Sequence, residues 1–206
     1  CGNMIVEKTK IPYVYENTEE NLELLGQILN EYIDNLPIQR GDILNVCINI
    51  AERVNPFEGT TYTCFSFTEG PLADTISKMI KLPVCIENDT RSMTYAEYVK
   101  GCCKGLKDVV FVNVCWGLGI GIIVNGELYY GKSGYSGEFG HNPAYNNNII
   151  CHCGKIGCVE TEASGRALKR KLTEAILAGK QSILSDKVIN RKEDLTLIDI
   201  LEAIGK

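Results

Sequence analysis

The chain has 206 residues, of which 45% are hydrophobic and 23% are charged, a composition typical of a globular protein with a sizeable core. A formal net charge of −5 gives no sign of a nucleic-acid-binding surface within these residues. No apolar run approaches the length of a membrane-spanning helix, so we expect no membrane partner.

The first hundred residues alternate between short apolar runs, typical of buried strands, and segments with helical periodicity. The predicted elements, in chain order, are a strand at 4–15, a helix at 19–34, strands at 43–51 and 61–67, a helix at 71–81, a strand at 82–88 and a helix to about 103. Asp89 or Thr90 is expected to cap this last helix. The alternation predicts an α/β layer.

At Asp108 the pattern changes to strands joined by tight turns. We expect strands at 109–115 and on either side of an Asn125-Gly126 hairpin turn, then helices at 160–178 and about 194–204. A boundary near 106–108 would divide the chain into parts of two α/β lobes, residues 1–107 and 108–206. The chain opens at Cys1 without an initiator Met, so we expect an internal piece of a longer protein.

Three cysteines and a histidine lie within residues 137–160. Cys151, Cys153 and Cys158, with His141 ten residues upstream, provide the four ligands of a tetrahedral structural Zn²⁺ site. His152 lies between two of these ligands, and we expect its side chain to point away from the metal. The competing interpretations are a disulfide, which leaves one thiol over, and burial in a core, which a stretch of Gly, Asn and Lys disfavours.

The remaining seven cysteines lie mostly in apolar runs and are interpreted as buried free thiols, which predicts a reducing, cytoplasmic location. They are Cys1, Cys47, Cys64, Cys85, Cys102, Cys103 and Cys115.

Polar residues near predicted strand ends and turns are candidates for ligand binding. Asn88 and Asp89 end a buried strand, where ligands bind in open α/β sheets, and Asp89 there can accept a proton from a substrate hydroxyl. Its alternative role is that of a helix cap. Gly117 and Gly119, after the strand at 109–115, permit close approach of backbone N–H groups to a phosphate, or they simply form a tight β-hairpin.

Two carboxylates, Glu138 and Glu160, flank the cysteine segment. Carboxylates accept strong hydrogen bonds from sugar hydroxyls, so the segment is a candidate sugar site. The alternative for each is a solvated surface side chain.

Four motifs together resemble the ROK family, which comprises repressors, open reading frames and sugar kinases. The motifs are ENDT at 87–90, the glycine hairpin ending NGELYYG at 125–131, GEFGH at 137–141 and CHCGKIGCVE at 151–160. The resemblance implies an actin-like ATPase (ribonuclease H-like) fold, present here in part. Its two α/β lobes hold sugar in the cleft between them, and one of them carries the zinc knuckle at 137–160.

The resemblance also implies residue roles. It assigns sugar contacts to Asn88, Asp89, Glu138, His141 and Glu160, and zinc ligation to His141, Cys151, Cys153 and Cys158. Asp89 matches the general base of the kinases, which also require ATP and Mg²⁺, with Gly117 and Gly119 at the phosphate.

The chain departs from the kinases in ways that favour the repressor branch. Gly117-Leu118-Gly119 stands where the kinases carry Gly-Thr-Gly, and Glu52 replaces a small residue in the loop at 49–59. The kinases' Asp-x-Gly-Gly-Thr motif and the repressors' helix-turn-helix both belong upstream of these residues. We therefore expect a sugar-responsive repressor that binds DNA through a domain outside this chain and forms a homo-oligomer. The alternative is an ATP-dependent sugar kinase.

Overall fold

A computed structural model describes residues 8–204 of the chain, which form two compact units. Unit 1 contains the described residues as far as Ser92 together with Gly131–Tyr135. Unit 2 contains Met93–Tyr130 and the described residues from Ser136 onward. This division does not coincide with the lobe boundary expected between residues 107 and 108, which stays a prediction about the domains of the whole protein.

Unit 1 is an α/β layer, as the alternating pattern predicts. Its elements are helix α1 (Glu19–Asp34), strands β1 (Val46–Ile50), β2 (Val54–Asn55) and β3 (Thr60–Thr61), helix α2 (Leu72–Ile80) and strand β4 (Val84–Asn88). Strands β1 and β4 pair in parallel with Ile48 opposite Ile86, and β2 pairs with β3 antiparallel. Helix α1 starts after Thr18, whose hydroxyl oxygen accepts a hydrogen bond from the Asn21 N–H.

The core of unit 1 lies between the helices and one face of the β1–β4 pair. Ile76 and Ile80 of α2 and Ile86 of β4 are almost completely buried there, together with Val54. Burying side chains of this size stabilises a fold by about 1.5–3 kcal/mol each, so this cluster holds the layer together. The opposite face of the strand pair carries Cys47, which is exposed although the sequence predicts a buried thiol.

Two predicted strands differ in the structure. Residues 8–15 form no strand, and the rest of the segment predicted at 4–15 lies outside the described residues. The strand predicted at 61–67 shortens to β3 because the Glu52 carboxylate accepts hydrogen bonds from the backbone N–H groups of Thr63 and Cys64, which a longer strand needs for its own pairing.

Helix α3 (Asp89–Lys100) begins in unit 1 and continues into unit 2, where an antiparallel sheet follows it. The strands are β5 (Val109–Val114), β6 (Leu118–Val124) and β7 (Glu127–Leu128), in the order β5-β6-β7. Asn125 and Gly126 both have positive φ, as the predicted hairpin turn requires. Thr94 of α3 lies so close to Gly121 of β6 that a Cβ at this glycine would overlap the threonine hydroxyl.

The last part of unit 2 is helical, with α4 (Gly165–Leu177), one turn of π-helix (Asp186–Asn190) and α5 (Leu197–Ile204). A small core of Ile176, Leu195 and Ile200 joins them. Helix α4 starts later than the predicted residue 160 because Val159–Thr161 form a 3-10 turn and Ser164 caps the helix. Across the described residues, no helix is both long enough and apolar enough to traverse a bilayer.

Candidate functional site

The predicted metal ligands come together in unit 2. The ligand atoms of His141, Cys151, Cys153 and Cys158 all lie within 4.8 Å of one another, although ten residues separate His141 from the first cysteine. The sulfur atoms of Cys153 and Cys158 are 3.7 Å apart, and the Cys151 sulfur is 3.5 Å from His141 Nδ1. No disulfide joins any of the described cysteines.

These separations fit a tetrahedral metal ion. With metal–sulfur bonds of about 2.3 Å and a metal–nitrogen bond of about 2.0 Å, a tetrahedron has S–S edges of about 3.8 Å and S–N edges of about 3.5 Å. Two of the separations, 3.7 Å between the Cys153 and Cys158 sulfurs and 3.5 Å between the Cys151 sulfur and His141 Nδ1, agree with these values. Three thiols and an imidazole are also the donor set that Zn²⁺ prefers. This group of residues is therefore chemically and geometrically able to hold a metal ion.

Glycines shape the loop that carries the three cysteines. Gly157 has a φ of +73°, and a Cβ there would lie 1.8 Å from the Tyr145 carbonyl oxygen. Gly154 also has positive φ, at +86°, but a Cβ there would meet nothing within 4 Å. Only glycine fits at 157, because this backbone packs directly against residues 144 and 145.

The thiol of Cys158 is fully buried. Burial and the neighbouring sulfurs of Cys153 and Cys151 raise its pKa to about 12. A cation that binds here must displace a proton, so its affinity is expected to fall in acid.

Glu160 is a buried acceptor rather than a solvated carboxylate. It lies in the 3-10 turn after Cys158 and is only 6% exposed. Its Oε2 accepts a hydrogen bond from the Leu118 N–H at 2.9 Å, and its Oε1 lies 3.0 Å from His152 Nδ1. Burial tends to raise the pKa of this carboxyl, but the hydrogen bonds from His152 and the Leu118 N–H outweigh it and lower the pKa. The carboxylate is therefore ionised and held in position.

The sequence predicts only that His152 points away from the metal, whereas the structure shows contacts of its ring with three residues of this region. Its ring makes a T-shaped contact with the His141 ring, with centroids 4.9 Å apart, and its Nδ1 lies 3.7 Å from the Cys151 sulfur. The same nitrogen approaches Glu160, so His141, His152 and Glu160 form a second group with all ligand atoms within 4.8 Å. This contact has no sequence signal beyond the presence of both residues in one segment.

Glu138 precedes the 3-10 turn that carries His141. Its Oε2 lies 3.8 Å from His141 Nε2, whereas the other ring nitrogen, Nδ1, faces the Cys151 sulfur. The neighbouring glycines bring this segment onto β6, because a Cβ at Gly137 or Gly140 would overlap carbonyl oxygens of that strand. Unit 2 thus brings Glu138, His141 and Glu160 to one region around the cysteine loop.

The other two predicted contacts, Asn88 and Asp89, lie in unit 1 at the end of β4. Asn88 Oδ1 accepts a hydrogen bond from the Arg91 N–H at 3.0 Å, and its Nδ2 donates to the Glu52 carbonyl oxygen. The N-cap of α3 is therefore Asn88, and not Asp89 or Thr90 as the sequence predicts, because the Asn88 side chain accepts from the N–H group three residues later. Asp89 Oδ1 accepts from the Thr90 N–H at 2.6 Å.

The glycine segment after β5 is a tight β-hairpin. Leu118 opens β6 opposite Val114, and Gly119 pairs with Asn113. A Cβ at Gly117 would lie 2.7 Å from Glu160 Oε2, so this glycine permits the approach of the Glu160 carboxylate. A phosphate role for Gly117 and Gly119 stays a prediction.

Arg91 has a structural role that the sequence motifs do not predict. Its guanidinium is buried, pairs with Glu87 at 2.7 Å, and donates to the carbonyl oxygens of Gly134 and Val54. The spacing of Glu87 and Arg91, four residues apart at a predicted strand-to-helix junction, was the available signal.

Residues 3–206 match the family model described as the ROK family. A putative xylose repressor from Caldicellulosiruptor sp. (strain Rt8B.4) is 31% identical over 192 residues, which cover 92% of this chain and 47% of the relative. An N-acetylmannosamine kinase from Haemophilus influenzae (strain PittEE) is 34% identical over 169 residues, which cover 80% of this chain and 54% of the relative. The chain thus spans about half the length of the curated relatives that it matches.

Solved structures are similar along most of the chain. A ROK family transcriptional regulator, described as a homolog of the E. coli MLC protein, superposes with a TM-score of 0.71 and 29% identity, covering 89% of this chain and 46% of the regulator. A ROK family glucokinase from Streptomyces griseus, solved with glucose and AMPPNP, has a TM-score of 0.70 and 28% identity, covering 88% of this chain and 56% of the kinase.

Proposed function

Since this chain belongs to the ROK family, we propose that it is the sugar-sensing part of a sugar-responsive transcriptional repressor. The observation that carries the proposal is the match along 92% of the chain to a putative xylose repressor, together with a regulator as a structural neighbour at a TM-score of 0.71. Leu118 supports it further, because a leucine at the glycine hairpin has no hydroxyl to bind a phosphate.

The proposed metal is Zn²⁺, held by His141, Cys151, Cys153 and Cys158. Bound there, zinc would stabilise the cysteine loop, since structural zinc contributes directly to folding. Two candidate sugar contacts lie beside this metal group. Glu160 lies in the 3-10 turn directly after Cys158, and His141 ends the earlier 3-10 turn. The metal group therefore positions the residues that are proposed to contact sugar.

The proposed ligand is a monosaccharide or an amino or phosphorylated derivative. His141 suits a linking role, because Nδ1 faces the Cys151 sulfur while Nε2 lies on the opposite side of the ring near Glu138. In this proposal Nε2 is the ring atom that contacts a sugar hydroxyl. Glu160 is an ionised acceptor held in place by Leu118 and His152, so little ordering cost is left for ligand binding. Asn88 and Asp89 are proposed as further hydroxyl contacts.

In this proposal sugar binding biases a DNA-binding domain that lies outside residues 1–206. The effect is a coupling free energy between two sites, with typical values of about 1–3 kcal/mol, or about 5–150-fold in DNA affinity. We further propose that the protein is a homo-oligomer in the cytoplasm. The chain would then contain parts of the two α/β lobes of an actin-like fold.

An ATP-dependent sugar kinase is the second candidate, favoured by the similarity to an N-acetylmannosamine kinase at 34% identity. In that reading Asp89 is the general base toward a sugar hydroxyl, and Gly117 and Gly119 approach the phosphates of ATP·Mg²⁺. Backbone N–H groups provide much of such phosphate binding, so Leu118 weakens this reading without abolishing it.

An ADP-release assay on the full-length protein separates the two candidates. The protein is incubated with ATP, Mg²⁺ and a panel that includes xylose, glucose and N-acetylmannosamine. As a repressor it should form no ADP above the sugar-free rate. Sugar-dependent ADP formation that is lost in Asp89→Asn, while sugar affinity persists, would assign the kinase instead.

A further inference from the structure

Two cysteines follow one another directly after helix α3, and neither belongs to the candidate metal group. Cys102 is exposed, Cys103 is half-buried, and both are free thiols. Their sulfur atoms are 3.8 Å apart. Two thiols at this distance can bind one soft, thiophilic centre at the same time.

Glu97, in the last turn of α3, holds this pair of thiols in place. Its carbonyl oxygen accepts hydrogen bonds from the N–H groups of Gly101, at 3.0 Å, and Cys103, at 3.3 Å. Its carboxylate Oε2 accepts from the Cys102 N–H at 3.1 Å and lies 3.4 Å from the Cys102 sulfur. Gly101 permits this arrangement, because a Cβ there would overlap the Glu97 carboxylate. Little ordering cost is therefore left when a ligand bridges the two sulfurs.

A disulfide within the pair is disfavoured by the geometry of the chain. Adjacent Cα atoms across a trans peptide bond, the only kind found among the described residues, are about 3.8 Å apart. Disulfides usually span Cα separations of about 4.4–6.8 Å, so a bond between neighbouring residues is strained and easily reduced. We therefore expect the pair to persist as two thiols under reducing conditions.

The number of donors separates the possible ligand classes. A structural Zn²⁺ takes four ligands. The groups of three or more candidate metal ligands found in residues 8–204 both contain His141, and neither contains Cys102 or Cys103. The pair thus offers two sulfur donors, which suits a trivalent centre that keeps its third bond to oxygen or carbon.

We propose that Cys102 and Cys103 form a binding site for a trivalent arsenical, the class that includes arsenite and its organic derivatives. The reaction is a condensation without a change of oxidation state. In arsenite two As–OH bonds break, two As–S bonds form, and the two hydroxyl groups leave as water with the thiol protons, while the third hydroxyl stays on arsenic. The second As–S bond forms within one molecule, so the pair retains the arsenical against a monothiol in solution.

Phenylarsine oxide is the probe that tests this site. The full-length protein is loaded with Zn²⁺ and treated with the probe in an excess of glutathione, and peptide mass spectrometry maps the adduct. The map separates this pair from the cysteines of the metal group and from Cys47 and Cys85, which lie opposite each other on β1 and β4. We expect one phenylarsine group on the peptide that carries Cys102 and Cys103.

Serine variants measure how much each sulfur contributes. Cys102→Ser and Cys103→Ser should each lower the affinity at this peptide by about 100-fold or more, because a single thiol forms no intramolecular second bond. Cys115→Ser, at an exposed single cysteine of the same unit, should leave the affinity within about two-fold. Circular dichroism compares the fold of each variant with that of the parent protein. If replacement of the half-buried Cys103 unfolds the protein, Cys102→Ser alone decides the result.

Three outcomes would overturn the proposal. The first is the absence of an adduct on this peptide in the presence of glutathione. The second is an adduct that survives in a folded serine variant, because one sulfur would then suffice. The third is an adduct confined to Cys47 and Cys85, which would place the arsenical on the strand pair of unit 1.

Discussion

At the scale of single residues, two glycines of the cysteine loop have the same backbone conformation but different surroundings. Gly154 and Gly157 both have positive φ, yet only Gly157 packs against a carbonyl oxygen, that of Tyr145. The strain of a left-handed non-glycine residue is common to both positions. An added Cβ would overlap a neighbouring atom only at Gly157. Substitutions at the two glycines therefore form a matched test of whether the loop geometry brings the candidate metal ligands together.

We predict that Gly157→Ala displaces the loop and lowers the zinc content well below one ion per chain, whereas Gly154→Ala retains about one ion. The displacement follows because the added Cβ would lie 1.8 Å from the Tyr145 oxygen. Elemental analysis of both variants and the parent protein, purified without chelator, measures the effect. Equal zinc content in the two variants would show that the packing of Gly157 against Tyr145 does not control metal binding, and a parent protein without zinc would show that this loop does not assemble a zinc site.

Glu160 offers a second test at this scale. We predict that Glu160→Gln weakens sugar binding by about ten-fold, or about 1.4 kcal/mol, because a charge-assisted hydrogen bond to a sugar hydroxyl becomes a neutral one. Glu193→Gln, at an exposed carboxylate of the same unit, is the control. Calorimetry with the full-length protein compares the two. If Glu160→Gln binds sugar as tightly as the control, the buried carboxylate serves only to hold Leu118 and His152.

At the scale of elements, Arg91 joins three segments of unit 1. From the first turn of α3 it pairs with Glu87 of β4 and donates to the carbonyl oxygens of Val54 in β2 and of Gly134. The side chain is only 2% exposed, so these contacts replace water almost completely. Each is short, at 2.7 or 2.8 Å, and uses a different nitrogen of the guanidinium.

We predict that Arg91→Lys lowers the free energy of unfolding by about 3 kcal/mol, since a single ammonium group cannot serve three partners and leaves buried acceptors unpaired. Arg191→Lys, at an exposed arginine, should stay within about 0.5 kcal/mol of the parent protein. Urea unfolding of both variants measures the difference. Equal stabilities would mean that the buried guanidinium is replaceable and does not organise this region.

Helix α5 begins with a reciprocal cap. Thr196 Oγ1 accepts from the Asp199 N–H, and Asp199 Oδ2 accepts from the Thr196 N–H, while Lys187 lies 2.8 Å from the same carboxylate. The hydrogen bonds from Lys187 and Thr196 lower the pKa of Asp199 well below its ordinary value of 3.8. A carboxylate with a lowered pKa stabilises the folded state above that ordinary value, and the contribution is lost as the pH falls toward the folded-state pKa.

We therefore predict that Asp199→Asn lowers the Tm at pH 7 and that the difference from the parent protein is smaller at about pH 3. Differential scanning calorimetry at both pH values is the measurement. Asp194→Asn, whose carboxylate is almost fully exposed in its pair with Lys169, should show little difference at either pH. A deficit of Asp199→Asn that is constant with pH would assign its role to hydrogen bonding without charge.

Most elements were predictable because their signals are local. The periodicity of α1, the apolar runs of β1 and β4, and the Asn125-Gly126 turn each depend on a few neighbouring residues. The strand predicted at 61–67 was wrong because a side chain elsewhere in the sequence accepts hydrogen bonds from its backbone. Glu52 holds the N–H groups of residues 63 and 64, and no local pattern reveals that contact. The same limit applies to the site: the four candidate metal ligands follow from their spacing, whereas the position of His152 follows only from folding.

At the scale of the whole molecule, membership of the ROK family is compatible with two proposed functions, a sugar-responsive repressor and a sugar kinase. Both proposals use the same candidate metal ligands and the same candidate hydroxyl acceptors, so those residues do not discriminate between them. The difference lies in what sugar binding is coupled to: phosphoryl transfer in a kinase, or DNA affinity in a repressor. The chain spans about half the length of the curated relatives that it matches, so the decisive experiment uses the full-length protein.

The most direct test is the binding of full-length protein to fragments of its own organism's genome, with and without each sugar of the panel. We predict that the protein binds a discrete DNA site and that one sugar of the panel lowers its affinity for this site by about ten-fold or more. A ten-fold change corresponds to a coupling free energy of about 1.4 kcal/mol between the sugar site and the DNA site. DNA affinity that no sugar changes, or an absence of sequence-specific capture by a protein that forms ADP from ATP and sugar, would contradict the repressor assignment.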